Sequence, residues 1–176
     1  MLRLYLLRHA KSSWNEPALK DFDRPLAPRG WNTAPLIGEY MAASGYQPTC
    51  VLCSPARRTR ETLEIIEPQL PGPMEAFMND SLYHAEPRAM LELIHAMPSR
   101  CRQLMSVGHN PATQELAVLL TGSGERKLWQ SLWSHFPTAG LAVLDFDSAD
   151  WSEIAPRSGH LIDFITPKAL QSRGKA

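Results

Sequence analysis

Short apolar runs alternate with longer amphipathic segments along the chain, and this alternation predicts strands and helices in turn. Strand-like runs lie at Leu2–Leu7, Val51–Cys53, Ala76–Met78, Gln103–Val107, Leu141–Phe146 and His160–Ile165. Helical patterns lie at Pro28–Ser44, Pro55–Glu67, Pro87–Met97, Pro111 to about Leu120, and Arg126–His135. The last two strands are expected to pair across the loop between them. Alternating strands and helices favour an α/β fold with helices layered on a sheet.

Residues with special backbone preferences refine these elements. Ser54 with Pro55, and Asn110 with Pro111, each predict an N-cap followed by the first residue of a helix. Pro35 lies inside the first helical pattern, so a kink or a broken first half is expected there. We predict one domain for residues 1–176, with a polar, mobile tail after about residue 167.

Composition and charge narrow the function classes. Apolar residues make up 44% of the 176 residues, and 18 basic residues balance 18 acidic ones. Zero net charge argues against a nucleic-acid partner bound by bulk electrostatics, but it allows a local anion pocket. No run approaches the roughly 20 apolar residues of a membrane span, and the N-terminus lacks a signal pattern. We therefore expect a cytoplasmic protein without a membrane partner.

The three cysteines are expected to be structural. Their odd number, without a secretory context, argues against a disulfide framework. Cys50 and Cys53 form a CxxC pair inside a short apolar run, which favours burial over redox work. No second CxxC is present to complete a metal site.

Charged residues recur directly after three of the predicted strands. Arg8 and His9 follow the first strand, Arg58 comes shortly after the second, and His109 follows the fourth. Ligands of open α/β sheets bind outside the carboxyl ends of strands. We therefore expect these side chains to converge on one site.

These residue types suit phosphoryl chemistry. A neutral imidazole at His9 can attack phosphorus and form a covalent phosphohistidine. Arg8 and Arg58 would neutralise the phosphoryl oxygens, while His109 and Asn15 could donate hydrogen bonds to them. Taken singly, each has a plainer interpretation: Arg8 and His9 could end a strand at the surface, Arg58 could lie on a solvated helix face, and His109 could be a satisfied structural histidine.

Taken together and in this order, the motifs resemble those of the histidine phosphatase superfamily, which is also called phosphoglycerate mutase-like. Residues 8–15 resemble its R-H-G-E-S-x-W-N signature, with Ala10 and Lys11 replacing Gly and Glu. Its S-P-x-x-R-[AT]-x-[QE]-T signature is matched by Ser54, Pro55, Arg58, Thr59, Glu61 and Thr62. Gly108-His109 is similar to the late G-H motif. The opening and the segment from Asp23 to Leu26 resemble the SixA phosphohistidine phosphatases.

The resemblance implies a three-layer fold with a mixed, mostly parallel sheet between helices, and a site that needs no metal or cofactor. It implies that His9 accepts the phosphoryl group, that Arg8, Arg58 and His109 bind it, and that Asn15 assists. Many family members also supply a carboxylate that protonates the leaving group. Glu86 is the first candidate for this acid and Asp80 the second, although Glu86 could equally open a helix.

Three functions remain open from the sequence. The preferred one is a phosphatase that removes phosphohistidine from a partner protein, because the short segments between motifs leave little chain for a lid. The P–N bond also needs less general-acid catalysis than a phosphate monoester. The alternatives are a small-molecule phosphomonoesterase of the same mechanism and a non-catalytic phosphoryl-binding module.

Overall fold

The computed structural model describes residues 1–173, which form a seven-stranded sheet with helices on both faces. The strands are β1 (Leu2–Arg8), β2 (Cys50–Cys53), β3 (Glu75–Met78), β4 (Gln103–Gly108), β5 (Thr121–Gly124), β6 (Leu141–Phe146) and β7 (Gly159–Ile165). The helices are α1 (Pro28–Ala43), α2 (Arg57–Ile66), α3 (Pro87–His95), α4 (Ala112–Leu120), α5 (Arg126–Ser134) and α6 (Pro167–Arg173). The predicted α/β fold with a mixed sheet is confirmed.

The strand order is β3-β2-β4-β1-β6-β7-β5. β1, β2, β3 and β4 run parallel to one another, whereas β6 runs antiparallel to both β1 and β7. The two last strands therefore pair as the sequence predicts. Because β6 alone is reversed among the described strands, the carboxyl ends of β1, β2 and β4 lie at the same edge as the amino end of β6.

β1 is buried on both faces and separates two apolar cores. Leu2, Leu4 and Leu6 point into one core, which α3, α4 and α5 cover. Tyr5 and Leu7 point into the other, which α1 and α2 cover. Successive side chains of a strand alternate between faces, so a continuous apolar run suits a strand covered on both sides. The result is the three-layer arrangement that the resemblance implies.

Several local expectations differ from the structure. α2 begins at Arg57 and α4 at Ala112, each later than predicted, and neither Ser54 nor Asn110 caps its helix. α1 continues through Pro35 as one helix. β5 was not predicted, because its sequence TGSG holds no apolar alternation.

The segment after Pro167 differs most from expectation. It forms α6 rather than a mobile tail, up to the last described residue, Arg173. Its Ala169 and Leu170 pack against the core beneath α1, although the segment is polar overall. Two well-placed apolar residues are enough to dock one face of a short helix. Residues 174–176 of the predicted tail lie outside the described residues.

The expectation that the cysteines form no disulfide is wrong for one pair. Cys50 at the start of β2 is bonded to Cys101, which lies two residues before the neighbouring strand β4. The odd cysteine, Cys53, is a buried free thiol, and burial raises its pKa to about 12. Glu75 lies close to the bonded pair, but both sulfurs are already used. Within residues 1–173 no other group of three or more His, Cys, Asp or Glu side chains is close enough together to hold a metal ion.

The loop after β1 is bound to the start of α1. Ala27 donates a backbone hydrogen bond of 2.8 Å to the Lys11 carbonyl, and Ser12 forms an isolated bridge with Leu26. Gly30, in the first turn of α1, packs directly on the same Lys11 carbonyl, so a β-carbon there would collide with the backbone. The absence of a side chain at Gly30 therefore sets the position of the loop that follows His9.

Two glycine substitutions in α1 test this contact. Replacing Gly by Ala in a helix interior favours folding by up to about 1 kcal/mol when nothing obstructs the new methyl group. Gly38→Ala meets only the end of the flexible Gln69 side chain, whereas Gly30→Ala meets backbone. We expect Gly38→Ala to leave the thermal midpoint nearly unchanged and Gly30→Ala to lower it and to weaken vanadate binding. Equal midpoints for the two variants would contradict this role of Gly30.

Candidate active site

Three strand ends place the predicted functional side chains side by side. Arg8 at the end of β1 is in register with Gly108 at the end of β4, and the His9 amide donates to the Gly108 carbonyl. The Ser54 amide, after β2, donates to the Val107 carbonyl of β4. Because these ends are joined by backbone hydrogen bonds, the residues that follow them project from one edge of the sheet. The centroids of the His9 and His109 rings lie 5.3 Å apart.

His9 is held as a neutral imidazole with one free nitrogen. Its Nδ1 lies 2.7 Å from the Ala10 carbonyl. A carbonyl oxygen only accepts, so Nδ1 carries the proton and the lone pair stays on Nε2. Burial is the main cause that lowers the pKa of His9 to about 3, and the charges of nearby residues add to it, against the opposing effect of the Ala10 bond. The ring is therefore a ready nucleophile at neutral pH.

Two guanidinium groups approach this imidazole. Arg8 donates from Nη1 to the Phe136 carbonyl at 2.8 Å, while its buried Nε has no partner within the described chain. Burial and the charge of Arg58 lower the pKa of Arg8, although it stays protonated at any physiological pH. Arg58, in the first turn of α2, is buried, whereas Arg8 is half-buried. Two poorly solvated cations with an incompletely used donor set are suited to bind an oxyanion.

His109 is oriented by Ser54, which the sequence predicted to be a helix cap. The Ser54 Oγ lies 2.8 Å from His109 Nε2. When this hydroxyl donates to Nε2, the neutral ring carries its proton on Nδ1, a buried atom without a partner in the described chain. Burial and the charge of Arg58 lower the pKa of His109 to about 3. In that tautomer, the neutral His109 ring offers an N–H donor beside His9.

Asp21 completes the group, and the sequence did not single it out. Its backbone carbonyl accepts from Arg58 Nη1 at 2.6 Å, and its Oδ2 accepts from Arg58 Nη2 at 3.0 Å and from the Tyr83 hydroxyl at 2.6 Å. Its Oδ1 accepts from Arg24 at 2.7 Å. Burial tends to raise the pKa of Asp21, but the Tyr83 bond and the two cations outweigh it and hold the pKa at about 2. Asp21 therefore fixes the Arg58 guanidinium as a permanent carboxylate. The segment from Asp23 to Leu26, which resembles the SixA-type proteins, begins two residues after Asp21 and gives no signal for this carboxylate.

A small cavity of about 170 Å³ opens beside His9. Its wall is formed by Arg8, His9, Lys11, Ser12, Trp14, Arg24, Arg58 and Thr138. The segment before β6 contributes to this wall, because the Ala139 amide donates to the carbonyls of both Arg8 and His9. The cavity has room for one tetrahedral oxyanion and little more, so the rest of a substrate would extend past Lys11 and Trp14.

The remaining predicted residues lie elsewhere. Asn15 is exposed and is not part of the cavity wall, where Ser12 and Thr138 are the neutral polar side chains. Glu86 is the exposed N-cap residue of α3 and its side chain makes no capping bond. Asp80 begins a short 3₁₀ turn and is exposed. None of the three touches His9, Arg8, Arg58 or His109 through the hydrogen bonds of the described residues. Their assistance in catalysis stays a prediction.

Comparisons with known proteins agree with this geometry. The model of the histidine phosphatase superfamily, branch 1, matches residues 4–82. An uncharacterised protein of Mycobacterium tuberculosis is 35% identical over 92% of this chain and 100% of its own length. A structure from Agrobacterium tumefaciens, described as a candidate phosphohistidine phosphatase SixA, is 36% identical with a TM-score of 0.79, covering 94% of this chain and 98% of that one. The protein histidine phosphatase SixA complexed with tungstate shares the fold, with a TM-score of 0.72 at 21% identity over 96% and 99% of the two chains.

The chain belongs to the histidine phosphatase superfamily. Within that class its similarity is to SixA-type proteins, as the opening motif and the segment around Arg24 predict. No helix in residues 1–173 is both long enough and apolar enough to cross a membrane.

The low pKa of His9 predicts a pH-dependent stability that one variant removes. Folded His9 stays neutral down to about pH 3, whereas the unfolded residue titrates near pH 6.5, so the unfolded state binds more protons between these values. The contribution is present above pH 6.5 and is lost as the pH falls. As the pH falls from 7 to 5, the free energy of unfolding, measured with urea in phosphate-free buffer, should decrease by about 2 kcal/mol more in the parent than in His9→Asn. Parallel losses in both proteins would contradict the buried neutral state.

A pair of aspartate variants tests the anchoring of Arg58. Asp21→Ala removes the carboxylate that three donors share, so Arg58 and Arg24 would be left partly buried without a counter-charge. Because the Asp21 side chain is 48% exposed, water would replace part of the loss, and we expect the free energy of unfolding to fall by roughly 1 kcal/mol. Asp23→Ala, an exposed carboxylate in the same 3₁₀ turn, should change it by less than about 0.5 kcal/mol. Equal effects would show that Asp21 has no special role.

Proposed function

We propose that this chain is a phosphatase that removes the phosphoryl group from phosphohistidine on a partner protein, by way of a covalent intermediate on His9. The observation that carries the proposal is the buried, neutral His9 with Nε2 free, next to the buried Arg58 guanidinium, the half-buried Arg8 guanidinium and a second neutral imidazole. A non-catalytic binding module would not need a nucleophile held in this tautomer.

The first half of the reaction transfers the phosphoryl group to His9. The Nε2 lone pair attacks phosphorus and forms a new P–N bond while the bond to the substrate imidazole breaks. The departing nitrogen keeps the electron pair and takes a proton from water. Arg8, Arg58 and His109 hold the phosphoryl oxygens, whose negative charge they offset as the bonds exchange. His9 becomes a cationic phosphoimidazole at the end of this step.

Water completes the second half. It attacks phosphorus, the electrons of the P–N bond return to His9 Nε2, and a water proton is lost to solvent. The products are inorganic phosphate and the original neutral His9, so atoms and charge balance. Nδ1 keeps its proton and donates it in a hydrogen bond to the Ala10 carbonyl throughout, so the ring does not rotate between the two steps.

The carboxylates of the site support a P–N substrate over a phosphate monoester. Asp21 is the carboxylate in contact with Arg58, and with a pKa of about 2 it holds no proton to give at neutral pH. Glu86 and Asp80 are exposed and make no contact with the site. An alkoxide leaving group needs a general acid, which typically contributes about 10² to 10⁴ in rate. An imidazole leaving group can take its proton from water. We propose that the reaction takes place in the cytoplasm and serves signalling.

Labelling of His9 tests the intermediate. The parent, incubated with a radiolabelled phosphoryl donor and quenched in alkali, should carry label that is stable to base and lost in acid, as a phosphoramidate is. His9→Asn should carry none, and peptide mapping should locate the label to residue 9. Label that survives in His9→Asn would refute the mechanism.

A substrate panel tests the leaving group. We expect kcat/KM on a phosphohistidine protein to exceed kcat/KM on sugar phosphates and nucleotides. Glu86→Gln should alter the phosphohistidine rate less than twofold, whereas loss of a true general acid would cost about 10²-fold or more. The reverse order of substrates would establish the small-molecule phosphomonoesterase instead.

A further inference from the structure

Trp14 stands at the rim of the site with one face open. It lies five residues after His9 and lines the same cavity as His9 and Arg58, yet it is 69% exposed. It also lines an adjoining cavity of about 410 Å³ with Glu16, Pro17, Leu19, Asp21 and Arg24. An indole so exposed gains little from burial, but it leaves an aromatic surface open beside His9.

The ring is nevertheless fixed in place. The Arg24 guanidinium lies 3.3 Å from the Trp14 ring centroid and covers one face. Arg24 is itself buried and held by Asp21, by the Ser13 carbonyl at 2.9 Å and by the Ser12 hydroxyl. These bonds leave the guanidinium, and therefore the indole resting on it, few ways to move. A preorganised aromatic surface binds without paying the entropy of ordering itself.

Arg24 on one face of the Trp14 indole also determines which chemical group binds best to the other face. A cation placed on a tryptophan ring is attracted by the electron density of that ring. Arg24 already draws on this density from one side, so a second cation on the other side would be repelled by Arg24 and less attracted by the ring. An uncharged aromatic ring has no such penalty and stacks on the indole. The free face therefore favours an aromatic leaving group over an alkylammonium or guanidinium one.

We propose that Trp14 is the specificity-determining residue of the site: its free face stacks on the imidazole ring of the substrate phosphohistidine and favours that substrate over phosphoarginine and phospholysine. This rests on the proposed phosphatase activity of the same site. The phosphoryl group would sit in the small cavity, the imidazole against Trp14, and the flanking backbone of the partner along the adjoining cavity.

The experiment compares leaving groups across variants of one residue. Parent, Trp14→Leu and Trp14→Phe are assayed on free phosphohistidine and on phosphoramidate, whose leaving group is ammonia. Leu keeps most of the apolar surface without a ring, whereas Phe keeps an aromatic face. We expect the ratio of KM for phosphohistidine to KM for phosphoramidate to rise about fivefold in Trp14→Leu. In Trp14→Phe this ratio should return most of the way to the value of the parent. The parent should also prefer phosphohistidine to phosphoarginine and phospholysine.

Trp133→Ala is the matched control. Trp133 is 59% exposed on α5 and is absent from the wall of the cavity at His9, so its loss should leave the KM ratio unchanged. A proportional change on both substrates in Trp14→Leu would reduce Trp14 to a structural residue and overturn the proposal, as would no change at all.

A separate arm distinguishes this failure from failure of the proposed substrate. If the parent hydrolyses monoesters and no P–N compound, the proposed function is wrong, and phenyl phosphate is then compared with ethyl phosphate. A selective loss on phenyl phosphate in Trp14→Leu would still support an aromatic platform at Trp14. Equal losses on the two esters would overturn it.

Discussion

The backbone pairing of β1 with β4, and of β4 with β2, is the constraint on which the rest of the structure depends. Three residues far apart in sequence, His9, Ser54 and His109, follow strand ends that are aligned within one residue of each other. Their side chains project from a rigid edge, covered on both faces by apolar cores. The cores hold the sheet together, and the sheet sets the distances at the site.

Burial of like charges is the second feature that shapes the chemistry. Arg8 and Arg58 approach two imidazoles in a poorly solvated space, and their charges add to burial in disfavouring protonation of the two rings. Asp21 limits the resulting positive potential and binds the Arg58 guanidinium. The site thus keeps neutral nucleophilic nitrogen and cationic ligands in contact, which free side chains in water would not do at the same pH.

The sequence predicted six of the seven described strands, five of the six described helices and the convergence of Arg8, His9, Arg58 and His109, because apolar runs and polar strand ends are local signals. It did not predict contacts between distant segments. The bond between Ser54 and His109 and the carboxylate of Asp21 on Arg58 join residues about 55 and 37 positions apart. The Cys50–Cys101 bond spans 51 positions. β5 and α6 form because neighbouring elements offer an edge and an apolar surface, which their own composition does not reveal.

The reversed direction of β6 has a consequence for how this architecture varies. An antiparallel neighbour of β1 brings its beginning, not its end, to the edge of the sheet that carries His9, so the connection from α5 lies beside His9. The Phe136 carbonyl accepts a hydrogen bond from the Arg8 guanidinium there, and Thr138 and Ala139 form the side of the cavity. Additional residues in this connection would lie over the mouth of the cavity and would not change the pairing of the strands. Here the connection is six residues long and leaves the mouth of the cavity open, as the proposed substrate on a bulky partner protein requires.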